Sequence, residues 1–136
     1  MILSGMNSLN LPNDVTEVLG DLVQGIKGSL PDNLVGVYLR GSIATGDFDP
    51  AMSDVDFFAV TERPVSDIEF AALSSLHERL SNLPNNKFGH ELEGPYINRS
   101  AAKRFRPGER YPTIARGETV FAARAVELAF PPRISS

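Results

Sequence analysis

The sequence predicts an α/β (α+β) domain, a small mixed β-sheet with helices packed mainly on one face. Three observations predict it. Two short apolar runs, LVGVYL at 34–39 and VDFFAV at 55–60, are partly β-branched and bounded by turn signals, as buried strands are. A helical pattern precedes them and another follows, each apolar on one side only, so strands and helices need a shared core. The third is size: 136 residues with 42% apolar side chains suffice for one packed core and leave little room for a second. The expected division is a domain over 1–130 and a flexible tail over 131–136.

The elements follow in order. Over 13–27, Val15, Val18, Leu19, Leu22, Val23 and Ile26 fall at offsets of 0, 3, 4, 7, 8 and 11, one face of a 3.6-residue period. Asn13 or Asp14 is the expected cap of this helix and Gly28 its expected end. A turn over 29–33 leads into the first strand. Gly41-Ser42 breaks that strand, and Asp47-Phe48-Asp49-Pro50 marks a loop before the second. Ser66 with Glu69 forms a capping-box pattern that opens a helix carrying Ile68, Ala72, Leu73, Leu76 and Leu80 toward the core. On that helix His77, beside Glu78 and Arg79, reads as solvent-exposed. Pro84-Asn85-Asn86 closes the unit. The segment 91–97 is the third strand, and Pro95, which cannot donate to a ladder, suits an edge or a strand end. Residues 98–117 read as an extended loop. Residues 118–130 read as a helix, with Val120, Phe121, Ala125 and Leu128 on its apolar side.

Composition removes several classes of function. The absence of cysteine excludes disulfide scaffolds, cysteine nucleophiles and thiolate zinc sites. No apolar run reaches the roughly 18 residues of a bilayer crossing, and no basic region followed by an apolar core opens the chain. A cytoplasmic protein without a membrane partner is the expectation. Seventeen acids against thirteen bases give a net charge of −4, which disfavours long nucleic acid as a partner. Lys103, Arg104, Arg106, Arg110 and Arg116 cluster in a short stretch, either as a solvated loop or as a site for a small phosphorylated ligand.

The chemistry concentrates in 37–57. Gly41-Ser42 directly follows a strand, and Asp54-Val55-Asp56 opens the next. Residues two apart on a strand share a face, so Asp54 and Asp56 project together. Parallel carboxylates repel unless a cation lies between them, and hard divalent ions such as Mg²⁺ accept their oxygens while keeping room for phosphate. Gly41 lets a phosphate approach the backbone, and Ser42 adds a hydroxyl beside the amides of the next turn. Alone, a Gly-Ser is an ordinary turn and an Asp-x-Asp an ordinary surface pair. Together they point to nucleotide chemistry, because Asp56 interrupts a strand otherwise built of Val55, Phe57 and Phe58. His90 reads as a loop residue, and Phe57, Phe58, Phe88, Phe105, Phe121 and Phe130 as core.

Gly41-Ser42, Gly46 and Ser53-Asp54-Val55-Asp56 resemble the signature of the DNA polymerase β-type nucleotidyltransferases. The longer string YLRGSIATGDFDPAMSDVDFFAV is similar to the aminoglycoside (streptomycin/spectinomycin-type) adenylyltransferases. The resemblance is good over 34–62 and extends more loosely over 13–97. It implies the nucleotidyltransferase fold and transfer of AMP from ATP to a hydroxyl of a small acceptor, a reaction of antibiotic resistance. It also implies that Gly41 and Ser42 hold the phosphates and that Asp54 and Asp56 bind Mg²⁺, two ions in all. A third acid on a later strand then completes the catalytic set with Asp54 and Asp56. Glu93 is the candidate, as metal ligand or as base for the hydroxyl proton, with Glu91 its rival on the same strand.

Relatives of this type carry a helical domain after the catalytic one, and the residues beyond 118 are too few to build it. The expectation is therefore a shortened chain with weakened activity, completed by a homodimer or a helical partner domain. Leu128, Phe130 and Ile134 are the candidates for a self-association surface or a disordered end. Two other functions stay open at this point. One is a minimal nucleotidyltransferase of toxin–antitoxin type acting on a protein, against which Ile43 counts, because that group carries an arginine there. The other is a folded but catalytically silent remnant.

Overall fold

A computed structural model describes residues 11–40, 55–103 and 110–114, and 121–125 by backbone alone. Its elements are α1 (Asn13–Ser29), β1 (Leu34–Leu39), β2 (Val55–Thr61), α2 (Asp67–Ser81), a 3₁₀ turn (Lys87–Glu91), β3 (Leu92–Asn98), α3 (Arg99–Lys103), β4 (Arg110–Ile114) and β5 (Phe121–Ala125). The five described strands form one sheet in the order β1-β2-β3-β4-β5. β2 and β3 run parallel, while the β1–β2, β3–β4 and β4–β5 pairs are antiparallel. The α/β expectation, a mixed sheet with helices packed mainly on one face, holds.

The core lies between that face and the two long helices. α1 contributes Val15, Val18, Leu19, Leu22 and Ile26, the stripe predicted by periodicity. α2 contributes Leu73, Leu76 and Leu80. The sheet meets them with Val37, Leu39, Val55, Phe57, Ala59, Leu92, Tyr96 and Ile114. Alternation along β2 thus sends Val55, Phe57 and Ala59 to the helices and leaves Asp56 and Phe58 on the opposite face. α3 covers the far part of that opposite face, where Ile97, Ala101, Ala102 and Tyr111 form a smaller cluster.

Helix ends differ in how far local sequence decides them. Ser66 accepts from the Glu69 amide at 3.2 Å while the Glu69 carboxylate accepts from the Ser66 amide at 2.9 Å, completing the capping box. At α1 the N-cap is Pro12, without a side-chain cap, so neither Asn13 nor Asp14 fills that role. Both lie inside the first turn, where Asp14 complements the positive end of the helix. The helix also passes through Gly28 to Ser29, because the Ser29 hydroxyl donates to the Gly25 carbonyl and the Leu30 amide to Ile26. Ile68, expected in the core, is 85% exposed in the first turn of α2, ahead of the point where that helix meets the sheet.

The C-terminal third departs most from expectation. The segment 98–117, expected to be loop, contains α3 and β4, and the expected helix over 118–130 contains β5. β4 and β5 pair along their whole length, from Arg110↔Ala125 to Ile114↔Phe121. Backbone pairing with a neighbour outweighs the helical preference of an alanine-rich segment. β3 is a central strand, with Pro95 opposite Thr113 in its interior rather than at an edge. Residues 118–120 and 126–136, with Leu128, Phe130, Ile134 and the expected tail, lie outside the described residues, as do Arg104, Arg106 and Arg116.

Candidate active site

The sheet face opposite α1 and α2 carries two of the acids that the sequence singles out, Asp56 and Glu93. Asp56 enters it from β2, one residue after the fully buried Val55, and is half-buried. In the parallel pairing of β2 with β3 its register partner is Glu93, which is exposed. Partners in a parallel register lie on the same face of neighbouring strands, about 4.8 Å apart along the hydrogen-bonding direction. The fold therefore brings Asp56 and Glu93 together although 36 residues separate them in the chain. Glu91, the rival candidate, closes the 3₁₀ turn and precedes β3, which begins at Leu92. Gly41, Ser42 and Asp54 lie outside the described residues. Among the described residues, no group of three or more histidine, aspartate or glutamate side chains gathers tightly enough to hold a metal ion.

β1 and the residue after it bring Tyr38 and Arg40 to this face. Its register with β2 pairs Tyr38 with Phe58 and Leu39 with Phe57, and the Arg40 amide continues it by donating to the Asp56 carbonyl at 3.0 Å. Tyr38 and Phe58 stack at 5.0 Å between ring centroids, 13° from parallel. Phe58, expected as core, is half-buried here, whereas Phe57 and Phe88 are core residues.

Beneath the acids, on the helix side, lies a polar pair whose histidine, His77, had been expected in solvent. His77 is buried at 1% exposure, and its Nε2 is hydrogen-bonded to the Tyr96 hydroxyl at 2.7 Å. Phe57 stacks on the imidazole at 6.0 Å and meets the Tyr96 ring edge-on at 5.9 Å. The expected exposed histidine is instead a packing residue joining α2 to β2 and β3. Its signal was present: Leu73, Leu76, His77 and Leu80 make a complete i, i+3, i+4, i+7 stripe. His90, by contrast, is exposed in the 3₁₀ turn.

Burial lowers the His77 pKa to about 3 and raises that of Tyr96 well above its ordinary value, so both are neutral at physiological pH. The unfolded chain binds a proton on this histidine near pH 6.5, and the folded protein does so only near pH 3. Protons thus favour the unfolded state throughout that window, and stability falls as pH drops from about 6.5 toward 3. At about 1.4 kcal/mol per unit, acidification to pH 4.5 is expected to cost roughly 2–3 kcal/mol through His77. Urea unfolding of the wild type and His77→Gln at pH 7 and 4.5 checks this. The stability gap between them should shrink by that amount at the lower pH, and an unchanged gap would count against a buried neutral imidazole.

No curated protein matches the chain significantly. A family model described as "Nucleotidyltransferase domain" matches residues 23–106, more than half of the chain. The matched span runs from within α1 through β1, β2, α2, β3 and α3, taking in Asp56, Glu93 and the Gly41-Ser42 dipeptide. On that match the chain belongs to the nucleotidyltransferase domain family, within the DNA polymerase β-type superfamily.

Proposed function

We propose that this nucleotidyltransferase moves AMP from ATP to a hydroxyl of a small acceptor of aminoglycoside type, in the cytoplasm, as antibiotic-resistance adenylyltransferases do. The observation that carries the reading is the Asp56↔Glu93 register, which sets two acids opposite each other on one face of the sheet. Asp54, two residues before Asp56 in the sequence, is the third acid of the proposed set. Such a set of hard oxygen donors suits Mg²⁺, which when bound by Asp54 and Asp56 neutralises triphosphate charge and polarises the phosphorus under attack.

The chain's own residues supply the rest. Gly41 and Ser42 cradle the phosphates at the end of β1. Glu93 accepts the proton of the acceptor hydroxyl as its oxygen bonds to the α-phosphorus. The bond from that phosphorus to the bridging oxygen breaks, and pyrophosphate leaves with the electron pair. Because β2 and β3 are ordered by one core, the acids are positioned before substrate arrives.

Titration of the protein with ATP, with and without Mg²⁺, tests the reading, followed by measurement of pyrophosphate release with streptomycin or spectinomycin present. Mg²⁺-dependent ATP binding and acceptor-dependent pyrophosphate are expected. Absence of nucleotide binding would overturn the proposal, and binding without release in the presence of any aminoglycoside would remove the acceptor class.

A further inference from the structure

Arg40 occupies a place that neither paired acids nor a phosphate turn accounts for. Its amide donates to the Asp56 carbonyl, which sets it opposite Asp56 in the antiparallel β1–β2 register. Opposed residues in such a pair share a sheet face. Arg40, Asp56 and Glu93 therefore form one row across β1, β2 and β3, a cation followed by two acids, spanning about 10 Å at the usual strand spacing. The Arg40 side chain is half-buried. Arg99, the first residue of α3 just after β3, lies at the other end of these strands, where it pairs with Glu62 at 3.5 Å.

We propose that Arg40 holds the β- and γ-phosphates of the triphosphate and selects a triphosphate over a monophosphate. This rests on the nucleotidyl transfer proposed above. A metal held by carboxylates has part of its charge cancelled before a nucleotide arrives, so a polyanion needs a further cation beside it. Guanidinium is permanently charged, and its planar fork matches two phosphate oxygens at once. Arg40 directly follows β1 and directly precedes Gly41-Ser42, the proposed phosphate ligands, in the sequence. The β–γ pair becomes the leaving pyrophosphate and gains charge as the bond breaks, so a fixed cation there aids departure as well as binding. The competing role is a purely structural ion pair with Asp56, which would give no preference among nucleotides.

The test compares the wild type, Arg40→Gln and Arg40→Lys by calorimetric titration with Mg²⁺-ATP, AMP and inorganic pyrophosphate. Arg40→Gln is expected to weaken ATP and pyrophosphate about tenfold to a hundredfold, in line with loss of charge-assisted hydrogen bonds, and to leave AMP nearly unchanged. Arg40→Lys keeps the charge and loses the fork, so it should recover part of the loss. If Arg40→Gln does not fold, Arg40→Lys alone carries the test, through a selective weakening of ATP and pyrophosphate. Equal weakening of AMP and ATP, or unaltered ATP binding, overturns the assignment. If Asp56→Asn abolishes ATP binding while Arg40 variants bind normally, only this inference falls. A wild type that binds no nucleotide removes both readings.

Discussion

Asp54→Asn combined with Asp56→Asn is expected to abolish Mg²⁺-dependent nucleotide binding and to leave the fold intact or slightly more stable. Both substitutions keep shape while removing charge. Asp56 is half-buried beside the exposed Glu93, so neutralising it relieves repulsion between like charges when no cation is bound. Thermal melting should therefore show an equal or higher midpoint, while calorimetry with Mg²⁺-ATP shows no heat of binding. Glu93→Gln should behave differently, retaining nucleotide and losing turnover by about a hundredfold or more, as removal of a general base does. Wild-type nucleotide affinity in the aspartate double variant would reject the site. Loss of nucleotide affinity in Glu93→Gln would make Glu93 chiefly a metal ligand rather than a base.

Gly94→Ala is expected to be the most damaging single methyl in the sheet. A Cβ at Gly94 would fall on the Phe57 carbonyl oxygen, far inside contact distance, and also press on the Phe57 ring. Neither can retreat easily. Phe57 is fully buried on central strand β2, and its ring packs on His77 and Tyr96. The methyl must therefore push β3 from β2, breaking the register between Asp56↔Glu93 and Ala59↔Tyr96. Overpacking against unyielding backbone should cost about 3 kcal/mol or more, lowering the melting temperature by roughly 10 °C. Melting followed by circular dichroism measures it, and an alanine variant that melts with the wild type would show that the strands can part without penalty. Nucleotide affinity should fall with stability, since the same displacement separates the two acids.

Much of the frame was legible because local and tertiary signals agreed. β1 follows its predicted bounds, β2 gains one residue, and the Ser66–Glu69 capping box marks the start of α2. The Asp56–Glu93 proximity was only half legible. Strand periodicity placed each acid on a face, but nothing local told which strands pair or in what register. Glu91 looked equivalent to Glu93 because the 3₁₀ turn ahead of β3 is nucleated by a side chain, Asn86 accepting from the Phe88 amide at 3.1 Å. β4 and β5 were hidden for a related reason. Pro112 argues against a ladder, and Phe-Ala-Ala-Arg-Ala lacks the alternation and β-branching of a strand, so pairing across the sheet decides their form. His77 was misjudged by weighting its charged neighbours over its place in the leucine stripe.

The parallel junction of β2 and β3 has a kinetic consequence. Parallel neighbours cannot be joined by a hairpin, and here α2 and the 3₁₀ turn lie between them. Asp56 and Glu93 meet only after that whole excursion has docked, and closing so long a loop must be offset by burial of α2 against the sheet. The two acids thus become neighbours late on the folding route, when most of the core is in place. A divalent ion held at the proposed site beside Glu93 would bind the finished domain in preference to partly folded forms, so it should slow unfolding while scarcely hastening folding.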